Sequence, residues 1–151
     1  MEAILMQKPA QKNLKTYKFF QKFSTRWRDN DVYGHMNNAV FYEFVDSTVN
    51  NWLTIRAELK VPSSSVIGLV VETKCNFFSP VCFPQEINCG LVFKNRGNCS
   101  VSYEVGLFKG SDHLTAALAT LVHVYVDSET RKPVPLPKKL ATALTEITLT
   151  R

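Results

Sequence analysis

Only one stretch of this chain has helical apolar spacing, and that sets the terms for the rest. Phe41, Phe44, Val45, Thr48, Val49, Trp52 and Ile55 fall at i, i+3 and i+4 intervals, the spacing that turns one face of an α-helix toward a core. Asn37 or Asn38 predicts its N-cap, because either amide oxygen can accept from free N–H groups of a first turn. Pro62 and the serines 63–65 stop it, giving a helix of about 20 residues and roughly 30 Å. With no second long helix to pack against, the stripe must be buried on a sheet.

The flanking segments supply that sheet. Tyr17, Phe19, Phe23, Thr25 and Trp27 alternate with Lys18, Lys22, Ser24, Arg26 and Arg28, which predicts a half-buried strand with Trp27 on its inner face. It runs into Asp29-Asn30-Asp31, residues suited to turns and caps. After the helix, 66–78 is rich in β-branched residues and breaks at Ser79-Pro80. Ile87, Cys89, Leu91 and Phe93 alternate with Glu86, Asn88 and Lys94; the turn Asn95-Arg96-Gly97-Asn98 leads into the alternation of Val101, Tyr103, Val105 and Leu107. A last strand is expected from about 114 to 126, and a short helix in the proline-led tail over Lys138–Leu144. The expected order is one strand, one helix, then four strands in hairpin succession. That is an α+β domain, a curled antiparallel five-stranded sheet wrapped around one long central helix. Its expected bounds are 17–128, after a flexible basic leader over 1–16 and before a C-terminal tail over 129–151. An uncovered sheet edge predicts self-association.

Composition removes several classes of partner. Among 151 residues, 18 Lys and Arg face 13 Asp and Glu, a net charge of +5, which favours an anionic ligand. The cations are dispersed and no helix-turn-helix or RNA-binding signature accompanies them, which argues against nucleic acid. The apolar run at 66–71 is far short of a membrane span, and no apolar h-region follows Met1. Cys75, Cys82, Cys89 and Cys99 form no C-x-x-C pair and share no ligand spacing with the three histidines. No metal or cofactor is therefore expected, and free thiols fit a reducing, cytoplasmic compartment. His123, inside an apolar run, reads as a hydrogen-bonded core or interface residue; Trp27 and Trp52 read as packing.

The chemistry concentrates in Arg28-Asp29-Asn30-Asp31-Val32-Tyr33-Gly34-His35-Met36-Asn37-Asn38. Two carboxylates, an imidazole and two amides stand between a strand end and a helix start. That helix end carries about half a positive charge, suited to a developing oxyanion, and a nearby carboxylate can act as nucleophile or general base. The same residue types also serve any strand-to-helix turn, and spacing alone leaves both readings open.

The run from Asp31 to Asn38, followed by Phe41-Tyr42, resembles the hotdog-fold acyl-CoA thioesterases of the 4-hydroxybenzoyl-CoA thioesterase type. Its D-x-x-G-H-(V/M)-N-N wording is also similar to plant acyl-ACP thioesterases. The similarity covers residues 19–126, including the Phe77-Phe78-Ser79-Pro80 break. The resemblance implies hydrolysis of an acyl thioester, with Asp31 as the catalytic carboxylate. It implies a carbonyl polarised at the backbone of Asn38 and His35 orienting Asp31, water or the acyl group. Asp46 matches a helical carboxylate of structural type. Relatives with His at the position of Asn38 place an imidazole there; this chain does not, so His35 takes over part of that role or none. Gly34 would let substrate approach the backbone, beside Asn37, and Phe41 would help close the acyl tunnel. Lys94 and Arg96, in the turn after the third strand, match a basic run that meets CoA phosphates. The implied partners are an acyl-CoA substrate, with acyl-ACP as the other carrier, and further copies of the chain in a homodimer or homotetramer. Two other readings stand beside it: a hotdog enoyl-thioester hydratase or dehydratase, whose D-x-N-P-x-H or H-F-P-like motifs are absent, and a non-catalytic acyl-CoA-binding module.

Overall fold

The computed structural model describes residues 9–149. Helix α1 (Asn38–Arg56) begins where the two asparagines stand, with Asn37 as N-cap accepting the Ala39 N–H at 2.9 Å. Phe41, Phe44, Val45, Thr48, Val49 and Trp52 are buried as the stripe predicts, but Ile55 is 57 % exposed and Leu53 is buried instead. The contact line drifts round the helix along its length, as it must against a twisted sheet.

Five antiparallel strands face the helix: β1 (Phe19–Ser24), β2 (Val66–Phe77), β3 (Glu86–Arg96), β4 (Ser100–Lys109) and β5 (Ala117–Asp127). Their order is β1-β3-β4-β5-β2, which corrects the expected hairpin succession. β2 does not pair with β3 but lies on the far edge beside β5. Ser79-Pro80 and Pro84 remove any tight hairpin after β2, and residues 78–85 are long enough to cross the end of the sheet instead. A short helix α2 (Lys138–Leu144) follows in the tail, where the sequence predicts it.

The concave face forms one core with α1. Ile87, Cys89 and Leu91 of β3, Tyr103, Val105 and Leu107 of β4, and Ala117, Ala119 and Leu121 of β5 join the buried side of the helix. Phe23 stacks on Phe44 at 4.7 Å, and Trp52 meets Tyr103 edge-on at 6.0 Å.

The convex face is covered by residues expected to be a free leader. Leu14 N–H donates to the His113 carbonyl (2.8 Å) and Thr115 N–H to that of Lys12 (3.0 Å). Tyr17 then lies in a second apolar cluster with Val92, Phe108 and Leu118. The slot for its ring is made by Gly90 and Gly106, directly opposite one another on β3 and β4. A Cβ at Gly106 would stand 2.5 Å from the phenol carbon and oxygen, and one at Gly90 2.6 Å from the start of the side chain. The leader expectation is thus corrected for residues 11–16, because an apolar sheet face needs a cover; residues 1–8 lie outside the described residues.

Trp27 is the second correction. β1 stops at Ser24, and the chain enters a single 3-10 turn, Trp27–Asp29. Asp29 closes that turn by accepting the Arg26 N–H at 2.7 Å. Strand alternation ends there, and the indole is left 81 % exposed.

Candidate functional site

Residues 29–37 form a short hairpin. The Asn37 N–H donates to the Asp29 carbonyl (2.8 Å), the Asp31 N–H to that of His35 (2.8 Å), and the Gly34 N–H to that of Asp31 (3.1 Å). Gly34 has φ of 81°, a left-handed conformation that favours glycine and closes the turn over 31–34. Asp31 braces the same turn with its side chain, Oδ1 accepting the Tyr33 N–H at 2.9 Å. No bond to its other oxygen forms among the described residues.

Two attachments hold this hairpin in place. Met36 donates to the Val81 carbonyl (2.6 Å), and the Phe83 N–H donates to Asn30 Oδ1 (3.1 Å), fastening it to the crossing loop. At its base, the guanidinium of Arg26 reaches Asp29 (2.9 Å) and Glu43 on α1 (3.0 Å). Asp29 is only 2 % exposed. Burial disfavours its charge, but the Arg26 hydrogen bonds and the charge of Arg28 outweigh that and hold the carboxyl below its ordinary range. The sequence reading missed the Arg26–Asp29 pair; its i, i+3 spacing just before the motif was the available signal.

Where hairpin, helix start and crossing loop meet there is a cleft of about 250 Å³, lined by His35, Met36, Asn38, Phe41 and residues 77–81. Phe41 and Phe77 meet edge-on at 5.0 Å and form its apolar wall. At its polar end stands the first turn of α1. Asn37 occupies the N–H groups of Ala39 and Val40, through its side chain and carbonyl. The Asn38 N–H forms no bond among the described residues, which leaves a first-turn donor open to an acceptor. A carbonyl oxygen placed there would meet that donor and the positive helix end together. A larger cleft of about 490 Å³ beside Lys22, Asn88, Asp112 and His113 has no α-helix start at its wall.

The sequence candidates divide accordingly. His35, Asn38 and Phe41 line the cleft. Asp31 and Gly34 sit on the adjoining hairpin, with Asp31 backbone-paired to His35, and the Asn37 amide is committed to the cap. Asp46 is exposed and bonded to Asn50. Lys94 and Arg96 are not brought to this cleft within one chain. The cleft is level with the row Phe77, Ala117, Leu107, Cys89, and Arg96 lies seven strand residues farther on, about 24 Å. Lys94 is moreover paired with the buried Glu104 at 3.1 Å. Among the described residues no three His, Cys, Asp or Glu side chains group as a metal site, and no helix is long and apolar enough to cross a membrane. Burial pushes the Cys75 and Cys89 thiols up to about 12, so neither offers a thiolate at neutral pH.

Comparison with known proteins agrees with this architecture. No curated protein matches the chain by sequence. Among solved structures, the PA5185 protein of Pseudomonas aeruginosa strain PAO1 is 41% identical, over 93% of this chain and 99% of that one, with a TM-score of 0.90. Slr0204 of Synechocystis, a 1,4-dihydroxy-2-naphthoyl-CoA thioesterase, shares the fold at 18% identity (84% and 95% covered, TM-score 0.75). So does a thioesterase of Thermus thermophilus complexed with coenzyme A and zinc, at 21% identity (85% and 98% covered, TM-score 0.73). The family model of the thioesterase-like superfamily matches residues 25–144; the chain belongs to that superfamily, and its α+β sheet and helix are of the hotdog type.

Proposed function

We propose that the protein hydrolyses an acyl-CoA thioester to the free acid and CoA, with α1 as the single central helix of the hotdog and Asp31 as the catalytic carboxylate. The observation that carries this reading is the Asn38 N–H, unbonded among the described residues, at the helix start inside a cleft that the Asp31 hairpin adjoins. The thioester carbonyl oxygen accepts from that N–H, and the helix dipole stabilises the negative charge that develops on it. Tyr33 holds one oxygen of Asp31 and leaves the other to act. As a general base it takes a proton from water, whose oxygen bonds to the carbonyl carbon; the C–S bond then breaks and the proton passes to the thiolate. As a nucleophile it forms a mixed anhydride, releasing the thiol, and water then cleaves the anhydride. His35, on the cleft wall and paired through its backbone to Asp31, orients the water or the acyl group. The acyl chain lies against Phe41 and Phe77, with Gly34 leaving the backbone open to substrate.

Superfamily membership supports thioester hydrolysis, and the CoA-bound Thermus protein and the Synechocystis naphthoyl-CoA enzyme support CoA as the carrier. β2 is a long edge strand whose Leu69, Val70 and Val71 are 38, 46 and 60 % exposed. Antiparallel pairing of two such edges makes a homodimer and sets the start of one β2 beside Phe77 of the other. In that arrangement Arg96 contacts phosphates only of an acyl-CoA bound to the second copy.

Thiol release from short, medium, long and aromatic acyl-CoAs, read with a chromogenic disulfide reagent, tests the reading. Asp31→Asn should cut turnover by about 10²- to 10⁴-fold with an unchanged melting curve. Full activity in that variant removes Asp31 from the mechanism; loss of enoyl absorbance without thiol release would point to a hydratase.

A further inference from the structure

Near the cleft, along the loop that follows Val81, stands an exposed aromatic pair that neither the fold nor the hydrolysis uses. Trp27 is 81 % exposed, with Phe83 against it edge to face, ring centroids 5.9 Å apart at 83°. Phe83 is itself 37 % exposed. Exposed large aromatics set side by side expose apolar surface to water without a folding return, a usual mark of a contact site. The pair is also fixed in position. Phe83 is tied by its N–H to Asn30, and the Trp27 turn is closed by the buried Asp29. Val81, a wall residue of the cleft, is only two residues from Phe83, so the platform begins within about 7 Å of the cleft. Arg28 follows Trp27 in the chain, exposed and unpaired among the described residues, and is close enough for its charge to act on Asp29.

We infer that this platform binds the nucleotide end of the CoA substrate: the adenine ring stacks on the indole of Trp27, and Arg28 meets a phosphate. The inference rests on the acyl-CoA reading and names where the carrier lies. A planar, weakly hydrated ring above an exposed indole and a phosphate beside a guanidinium are complementary in shape and in charge. Phe83 stands within about 7 Å of the cleft wall at Val81, a span that one flexible pantetheine arm crosses. Lys94 and Arg96, which the structure places within the end of β3 rather than in the turn after it, stand away from the platform, at the far end of that strand.

The experiment compares hydrolysis of an acyl-CoA with that of the same acyl group on N-acetylcysteamine, which has no nucleotide. In Trp27→Ala the kcat/KM ratio of the first to the second should fall roughly tenfold, the worth of one base–aromatic stack, and Trp27→Phe should restore most of it. Arg28→Gln should lower the same ratio and make it less sensitive to salt. An unchanged ratio in Trp27→Ala overturns the inference. So does a ratio that falls in Arg96→Gln but not in Trp27→Ala, or an equal loss on both substrates together with a change of oligomeric state, which would make Trp27 a subunit contact. A binding arm needs no turnover. Adenosine 3′,5′-bisphosphate should quench the emission of Trp27 saturably, the other tryptophan, Trp52, being fully buried, and Trp27→Phe should abolish the signal. If the protein hydrolyses neither thioester but the nucleotide still quenches Trp27, the hydrolase reading fails and the nucleotide site stands. Absence of quenching overturns the site whatever the activity.

Discussion

Acidification should weaken this fold through one buried ring, and the effect can be worked out. His123 lies on the concave face of β5, 1 % exposed. Its strand neighbours are Val70 on β2 and Val101 on β4. Tyr103 and Tyr125 meet it edge-on, and a Cβ on Gly68 would touch it. The Tyr125 hydroxyl, 3.4 Å from Nδ1, is bonded to Tyr103 at 2.7 Å, and Nε2 has no partner among the described residues. No carboxylate is among these groups, so nothing offsets the loss of water, and burial pulls the imidazole from its ordinary 6.5 down to about 4. The ring is neutral in the fold and takes up a proton on unfolding. Its contribution is complete above about pH 6.5, falls as pH drops from 6.5 to 4, and is exhausted below that. The drop from 6.5 to about 4 corresponds to about 3 kcal/mol, a large share of the roughly 5–15 kcal/mol typical of a domain. Urea unfolding at pH 7 and pH 4, at one protein concentration, measures it. The protein should lose about 3 kcal/mol more over that interval than His123→Phe, which has no proton to gain; other acid-sensitive groups cancel in the difference. Equal losses in the two proteins would refute the argument.

Other perturbations test the remaining contacts. Gly106→Ala drives a methyl into the Tyr17 ring and should cost about 1–3 kcal/mol in thermal unfolding, but much less in a Tyr17→Ala background. Asp29→Asn removes the charged partner of Arg26 at the hairpin base and should cost about 1–3 kcal/mol; kcat should fall more than KM rises, since the hairpin carries the catalytic carboxylate Asp31, whereas the apolar wall of Phe41 and Phe77 lies on α1 and β2. Val71→Lys on the β2 edge should shift the protein toward monomer in sedimentation equilibrium, with activity lost in parallel; an unchanged dimer would place the interface elsewhere.

Much of the fold is legible in the sequence because side-chain period reports element type directly. The α1 stripe and the alternation of β3 and β4 follow from spacing, and Asn37 as one of two caps from its chemistry. Strand order is not legible, because β2 and β3 are neighbours in sequence but not in the sheet, and apolar alternation says nothing about which edge a strand joins. Trp27 misleads because alternation continues on paper through Thr25, where the backbone has already left the ladder for a 3-10 turn. The leader misleads for a related reason: Tyr17 and Leu14 are two apolar anchors among lysines, and the target of Tyr17 is a pair of glycines far along the chain. At the site, the motif locates the hairpin and helix start, but not the Arg26–Asp29–Glu43 attachment, which uses one residue from inside α1. Lys94 is likewise readable as a cation but not as the partner of Glu104, since that pairing depends on the β3–β4 register.

The slot that receives Tyr17 also reports on alignment. Gly90 and Gly106 stand opposite each other in only one register of β3 against β4, and sliding either strand along the other would put a side chain under the ring. The phenol, whose hydroxyl donates to Glu104 at 3.2 Å, therefore docks only on a correctly paired sheet. A segment that precedes β1 in the chain thus acts as a check on β3 and β4, rewarding the native alignment over its shifted neighbours by the burial of one aromatic ring.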